Sequence, residues 1–155
     1  METNTPQFSS EVRFQIEKEV WNRYDLADNV ELRIRAIIVK ILKYRSPEDS
    51  SKINYTGEFT TITNIIPNEG FNLFGKPSNR SYTLDELNNA PAVEIECKTI
   101  NEDWNIYRLE DGTMLKTKLF VASVKRLSGL FDRYGVPLYN VNSSTVVNLD
   151  LVKKL

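Results

Sequence analysis

The pattern Trp21-Asn22-x-Tyr24-x-Leu26-x-Asp28 returns eighty-three positions later as Trp104-Asn105-x-Tyr107-x-Leu109-x-Asp111. A chain that repeats itself in this way is expected to fold as two copies of one unit. The match runs without a gap from Trp21–Leu42 to Trp104–Lys125 and uses both tryptophans of the chain. Leu32 and Leu115 are identical, and Arg33/Lys116, Arg35/Lys118, Ile38/Val121 and Ile41/Val124 are alike in kind. Half of a 155-residue chain would bury too little surface to be comfortable alone. The repeat therefore predicts one compact domain over 1–155, with repeat 1 at 11–66, a linker at 67–92 and repeat 2 at 93–150.

Segment 93–99 alternates, with Val93, Ile95, Cys97 and Thr99 on one face and Glu94, Glu96 and Lys98 on the other. That period of two predicts one half-buried strand. Its counterpart at 12–17 sets Val12, Phe14 and Ile16 against Arg13, Gln15 and Glu17. Ile34, Ile37, Ile38 and Ile41 fall at helical spacing, but segment 30–42 and its copy are rich in β-branched residues. The pairs Asp28-Asn29 and Asp111-Gly112 ahead of them are hairpin signals, so both copies are read as strands.

Glu110-Asp111-Gly112 suits a three-residue loop whose last residue is left-handed, a conformation open to Gly112 and Asn29. This loop sets Tyr107 opposite Leu115 and Leu109 opposite Thr113. In the first copy Tyr24 faces Leu32, Leu26 faces Val30 and Asn22 faces Ile34. On the reverse face Trp21 meets Arg35 and Trp104 meets Lys118, a tryptophan–cation pair in each repeat. A further strand is expected at about 58–66 and 138–149, after the loops 43–57 and 126–137, with Gly57 and Pro137 as one candidate equivalence. The linker 67–80 is rich in Pro, Gly and Asn, yet Phe71, Leu73 and Phe74 give it an apolar centre suited to covering an open end of the fold. Thr83 and Glu86 form a capping box for a short helix at 84–89, closed by Pro91. The expected fold is all-β: two three-stranded antiparallel repeats packed as a pseudo-symmetric barrel or sandwich.

Composition narrows the chemistry. Twenty Lys and Arg balance twenty-one Asp and Glu, so the molecule as a whole exerts no strong pull on nucleic acid or an anionic membrane. With no histidine and one cysteine, the commonest general base and transition-metal ligand is missing. Cys97 sits on the apolar phase of its strand and reads as a small core residue. The carboxylate pairs Glu17/Glu19, Asp25/Asp28, Glu94/Glu96 and Glu102/Asp103 fit solvent faces and turns better than an acid–base dyad. No catalytic, cofactor-binding or metal-ligating residue is therefore expected. Polar residues 1–10 and the lack of a long apolar run point to a cytoplasmic protein that does not enter membranes.

What remains is a surface carried twice. Trp21, Arg33, Arg35, Trp104, Lys116 and Lys118 form the candidate interaction surface, since Trp and Arg are enriched where proteins meet. The plainer readings are that each tryptophan–cation pair merely braces its hairpin, and that the basic strands are neutralised by the acidic strands beside them. The expectation is a non-enzymatic interaction module, a subunit or adaptor of a protein assembly or a homo-oligomer. Binding of single-stranded RNA or DNA by the two tryptophan–cation patches is the second candidate, and an enzyme using Asp, Glu, Lys or Tyr the third.

Overall fold

The computed structural model describes residues 8–49 and 51–150. Its strands are β1 (Phe8–Val12), β2 (Phe14–Lys18), β3 (Asn22–Leu26), β4 (Val30–Arg45), β5 (Ile53–Pro67), β6 (Ala92–Ile95), β7 (Cys97–Asn101), β8 (Trp104–Leu109), β9 (Met114–Phe131) and β10 (Pro137–Asp150). The single helix among the described residues, α1 (Leu84–Asn89), begins at the capping box read from Thr83 and Glu86. It is too short to cross a membrane, and no described helix is long and apolar enough to do so.

The hairpins form in the expected register. Tyr24 faces Leu32, Leu26 faces Val30 and Asn22 faces Ile34, while Tyr107 faces Leu115 and the Leu109 N–H donates to the Thr113 carbonyl. Asn29 (φ 69°) and Gly112 (φ 87°) take the left-handed positions that close the two loops. Two expectations are corrected in length. The strands β4 and β5 run on to Arg45 and start at Ile53, so the loop between them is much shorter than 43–57. Gly57 shares its register position with Val141, not Pro137: Gly57 faces Ile41, and Val141 faces Val124.

The larger correction concerns sheet membership. Segment 93–99 is not one strand, and neither is 12–17. The chain steps from one sheet to the other at Arg13 and again at Glu96, so that β1 pairs with β4 while β2 pairs with β8, and β6 pairs with β9 while β7 pairs with β3. Two five-stranded antiparallel sheets result, one from β1, β3, β4, β5 and β7, the other from β2, β6, β8, β9 and β10. Each repeat supplies five strands, not three, and lends one of them to the other sheet. Alternation of side chains continues across the step, which is why the pattern alone conceals it. The steps are secured by main-chain bonds, with Glu110 N–H donating to the Arg13 carbonyl and Ala27 N–H to the Glu96 carbonyl, each at 2.9 Å. The sheets do not close into a barrel.

The apolar side chains lie between the sheets in two clusters. The first joins Tyr24, Leu26, Val30, Leu32 and Ile34 to Ile95, Leu119 and Val124 of the other sheet, and Phe71 of the linker inserts into it. The second joins Tyr107, Leu109 and Leu115 to Val12, Ile38 and Ile41. The long strands β4 and β9, of 16 and 18 residues, reach both clusters: the early part of each lies against its own hairpin and the later part against the hairpin of the other repeat. Phe74 does not follow Phe71 inward and stays 56% exposed.

Candidate interaction surface and the contacts that join the repeats

Each letter of the repeated pattern has a structural task, and most of the tasks are performed on the opposite repeat. Asn22 and Asn105 are 2% and 3% exposed, and a buried side-chain amide must find partners for both its donors and its acceptor. Asn22 Nδ2 donates to the Leu119 carbonyl at 2.8 Å, and Asn105 Nδ2 to the Ala36 carbonyl at 3.4 Å. In return Asn22 Oδ1 accepts from Asp103 N–H (3.3 Å) and Asn105 Oδ1 from Val20 N–H (2.9 Å). All four partners come from the other repeat, at corresponding positions.

The tyrosines follow the same rule. Tyr24 and Tyr107 are 1% and 0% exposed. The Tyr24 hydroxyl donates to Glu102 at 2.5 Å and the Tyr107 hydroxyl to Glu19 at 2.9 Å. The aspartate that ends the pattern sits in its hairpin turn and accepts a phenol from the far repeat: Tyr139 bonds to Asp28 at 2.6 Å, and Tyr55 to Asp111 at 2.5 Å. Burial first, then the carboxylate each hydroxyl faces, pushes the Tyr24, Tyr107 and Tyr139 phenols far above their usual value of 10.0. They are fixed as neutral donors rather than poised as acids or bases.

The tryptophan–cation pairs are present in both repeats. The Arg35 guanidinium lies 5.9 Å from the Trp21 ring centroid and the Lys118 ammonium 5.8 Å from that of Trp104. Lys118 also sits 5.4 Å from the Phe120 ring. Trp21 is 37% exposed and Trp104 half-buried. Trp21 adjoins β3 and Trp104 begins β8, so the two belong to different sheets, and each is on the face turned away from the shared core. The six candidate residues are thus divided as Trp21, Arg33 and Arg35 on one sheet and Trp104, Lys116 and Lys118 on the other.

Acidic partners occupy most of these cations. Arg33 and Arg23 grip Glu31 at 2.8 and 2.6 Å, Arg35 meets Glu19 at 2.8 Å and Lys116 meets Asp150 at 3.0 Å. The bond from Arg23, opposed by burial and aided by Arg33, holds the Glu31 carboxyl below its ordinary value of 4.5. Elsewhere Lys18 pairs with Asp103, Arg126 with Asp28, and Arg108 with Glu17. Of the carboxylates that stood out in the sequence as pairs, Glu17, Glu19, Asp28, Glu102 and Asp103 are thus engaged by side chains of the fold. Cys97 is half-buried against the first cluster, and burial, with the charge of Glu102, pushes its thiol up, away from reactivity.

Glu19 and Glu102 were not singled out by sequence reasoning as partners of the tyrosines, although a signal was available: each stands two positions before its tryptophan, at the same spacing as the rest of the repeat. Tyr55 and Tyr139 were hidden because unequal loops shift their alignment by one position. No protein family, curated protein or solved structure matches the chain.

Proposed function

We propose that this chain is a non-enzymatic interaction module, a duplicated all-β unit serving as a subunit or adaptor of a protein assembly or as a homo-oligomer. Duplication is supported by the gapless repeat and by strand pairings that recur in the same order in both sheets. The observation that carries the functional reading is where unsatisfied binding capacity remains. Among the described residues β5 pairs only with β4 and β10 only with β9, so each sheet ends in a long strand with one free edge. β5 holds a single charged residue, Glu58, in 15 residues, and β10 only Asp150 in 14. Natural proteins commonly guard such edges with lysines, prolines or bulges, because an open edge pairs readily with another chain. Here the extra residue that shifts the β4–β5 register is Val39 of β4, and the β9–β10 register shifts around Ala122 of β9 and again between Pro137 and Tyr139.

The asparagine, tyrosine and aspartate of the repeated pattern are engaged within the fold. The test is to isolate the native particle from its own cells and weigh it with and without nuclease. A mass above 17.9 kDa that survives nuclease supports a protein assembly. A single-chain mass overturns the reading, and a heavy particle that collapses on nuclease replaces it with nucleic-acid binding through the tryptophan–cation pairs.

A further inference from the structure

We infer that the free edge of β5 is a homotypic interface, at which β5 of one copy pairs antiparallel with β5 of a second copy about a two-fold axis at Thr60. The inference rests on the assembly reading and names the partner.

Three observations converge on this edge. First, a groove of about 680 Å³ lies beside it, lined by Thr63, Asn64, Ile65 and Pro67 of β5 and by Phe74 and Tyr134 across from them. Successive residues of a strand point to opposite faces, so the groove lies mainly against the face of the last residues of β5 that carries Thr63, Ile65 and Pro67, and also touches Asn64. Phe74 and Tyr134 are 56% and 67% exposed there. With Asp132 and Val136 they line the side of the groove across from β5.

Second, β5 can pair with itself without opposing like charges. Full antiparallel overlap of Ile53–Pro67 with a second copy sets Thr60 opposite Thr60, Glu58 opposite Ile62, Tyr55 opposite Ile65, and Ile53 opposite Pro67. Each opposed pair lies on the same face of the sheet, and no charge faces its like. Third, this register accounts for an otherwise unexplained exposed side chain. Ile53 is 49% exposed, and pairing delivers it to the Phe74–Tyr134 groove of the other copy, twice by symmetry. An isologous contact of this kind closes on itself as a dimer.

The test uses the full chain in sedimentation over a wide concentration range, with Thr60→Lys, Thr60→Glu and Val146→Lys. Thr60 is exposed, and circular dichroism checks that each variant keeps its strands. The wild-type chain is expected to pass from monomer to dimer as concentration rises. Thr60→Lys and Thr60→Glu, each of which opposes like charges at the axis, are expected to weaken dimerisation tenfold or more when alone and to regain it when mixed. Val146→Lys, on β10, leaves the dimer unchanged.

A dimer indifferent to Thr60→Lys, one broken by Val146→Lys instead, or variants that do not re-pair on mixing would overturn the β5 interface while leaving a homo-oligomer in place. A chain that stays monomeric at every concentration also overturns it. In that case a heavy nuclease-resistant native particle would preserve the assembly reading with a different partner, and a single-chain native mass would remove both.

Discussion

The bond between Tyr24 and Glu102 offers a quantitative test of how the repeats are joined. Tyr24 is 1% exposed and its hydroxyl lies 2.5 Å from a carboxylate oxygen of the other repeat. Hydrogen bonds to charged groups contribute about 1.5–3 kcal/mol net. Tyr24→Phe removes the hydroxyl and little else, so it should destabilise the chain by about 2 kcal/mol. With a urea slope of roughly 2 kcal/mol/M, the unfolding midpoint should fall by about 1 M with the slope unchanged. Glu102→Ala strands the phenol, whose other neighbour, Asn22 Nδ2, is 3.5 Å away, and should cost a similar amount. If the bond is what matters, the double variant is little worse than either single one, and the cycle returns a coupling of about 1.5–3 kcal/mol. Simple additivity, with a coupling below about 0.5 kcal/mol, would refute the reasoning and leave Tyr24 as an apolar filler.

Other outcomes follow from the same contacts. In an alkaline spectrophotometric titration, Tyr24, Tyr107 and Tyr139 should ionise only as the protein unfolds. Their folded values lie above the usual 10.0, so they contribute stability that is whole below that pH and lost as pH climbs toward the folded values. Smooth titration of all seven tyrosines near pH 10 in a folded chain would contradict this. At the acid end Glu31 is held below its ordinary 4.5, and Asp111, where burial is outweighed by the bonds from Tyr55 and Thr113 together with the charge of Lys43, below 3.8. Their contribution is present above those values and disappears as pH falls through the lower folded ones. Arg23→Gln should therefore flatten the acid limb of a stability-versus-pH curve, and an unchanged limb would count against the Glu31 pairing. Gly135→Ala should destabilise by about 1–3 kcal/mol, because its φ is +79° and a Cβ would stand 2.6 Å from the Gly75 carbonyl oxygen. Neutral behaviour in thermal melts would mean the linker does not cross the β9–β10 turn so closely. Trp21→Ala should cost only about 0.5–1 kcal/mol for the lost cation contact, plus the ring's partial packing, and the chain should remain folded.

How much of this was legible in the sequence depends on the range of each interaction. The hairpins were readable because a turn fixes its own register: Asn29 and Gly112, as the left-handed residues, determine every pair back to Asn22 and Asn105. The capping box at Thr83 is equally local. The crossing of the chain at Arg13 and Glu96 was not readable, since Val93, Ile95, Cys97 and Thr99 keep one phase while the strand changes partners. Only distant residues such as Ala27 and Glu110, which bond to the crossing carbonyls, determine that step.

The candidate surface shows the same division. Both tryptophan–cation pairs are cross-strand neighbours within a hairpin and were derived from register alone. The partners of Asn22, Tyr24 and Asp28 lie in the opposite repeat, and the pattern that announces these residues is silent about what they touch. A recurring polar motif invites a functional reading, and here its asparagine, tyrosine and aspartate are used to bind one repeat to the other. The edges left unpaired among the described residues belong instead to the nearly uncharged strands β5 and β10, which carry no motif.

The central structural claim is that the two repeats are interlocked and cannot fold apart, because each completes the hydrogen bonds of the other. Scanning calorimetry of the full chain at a concentration where it is monomeric tests this most directly. One transition whose calorimetric and van't Hoff enthalpies agree is the result predicted. Two separable transitions, or a van't Hoff enthalpy near half the calorimetric one, would show that the repeats melt independently and would contradict the account.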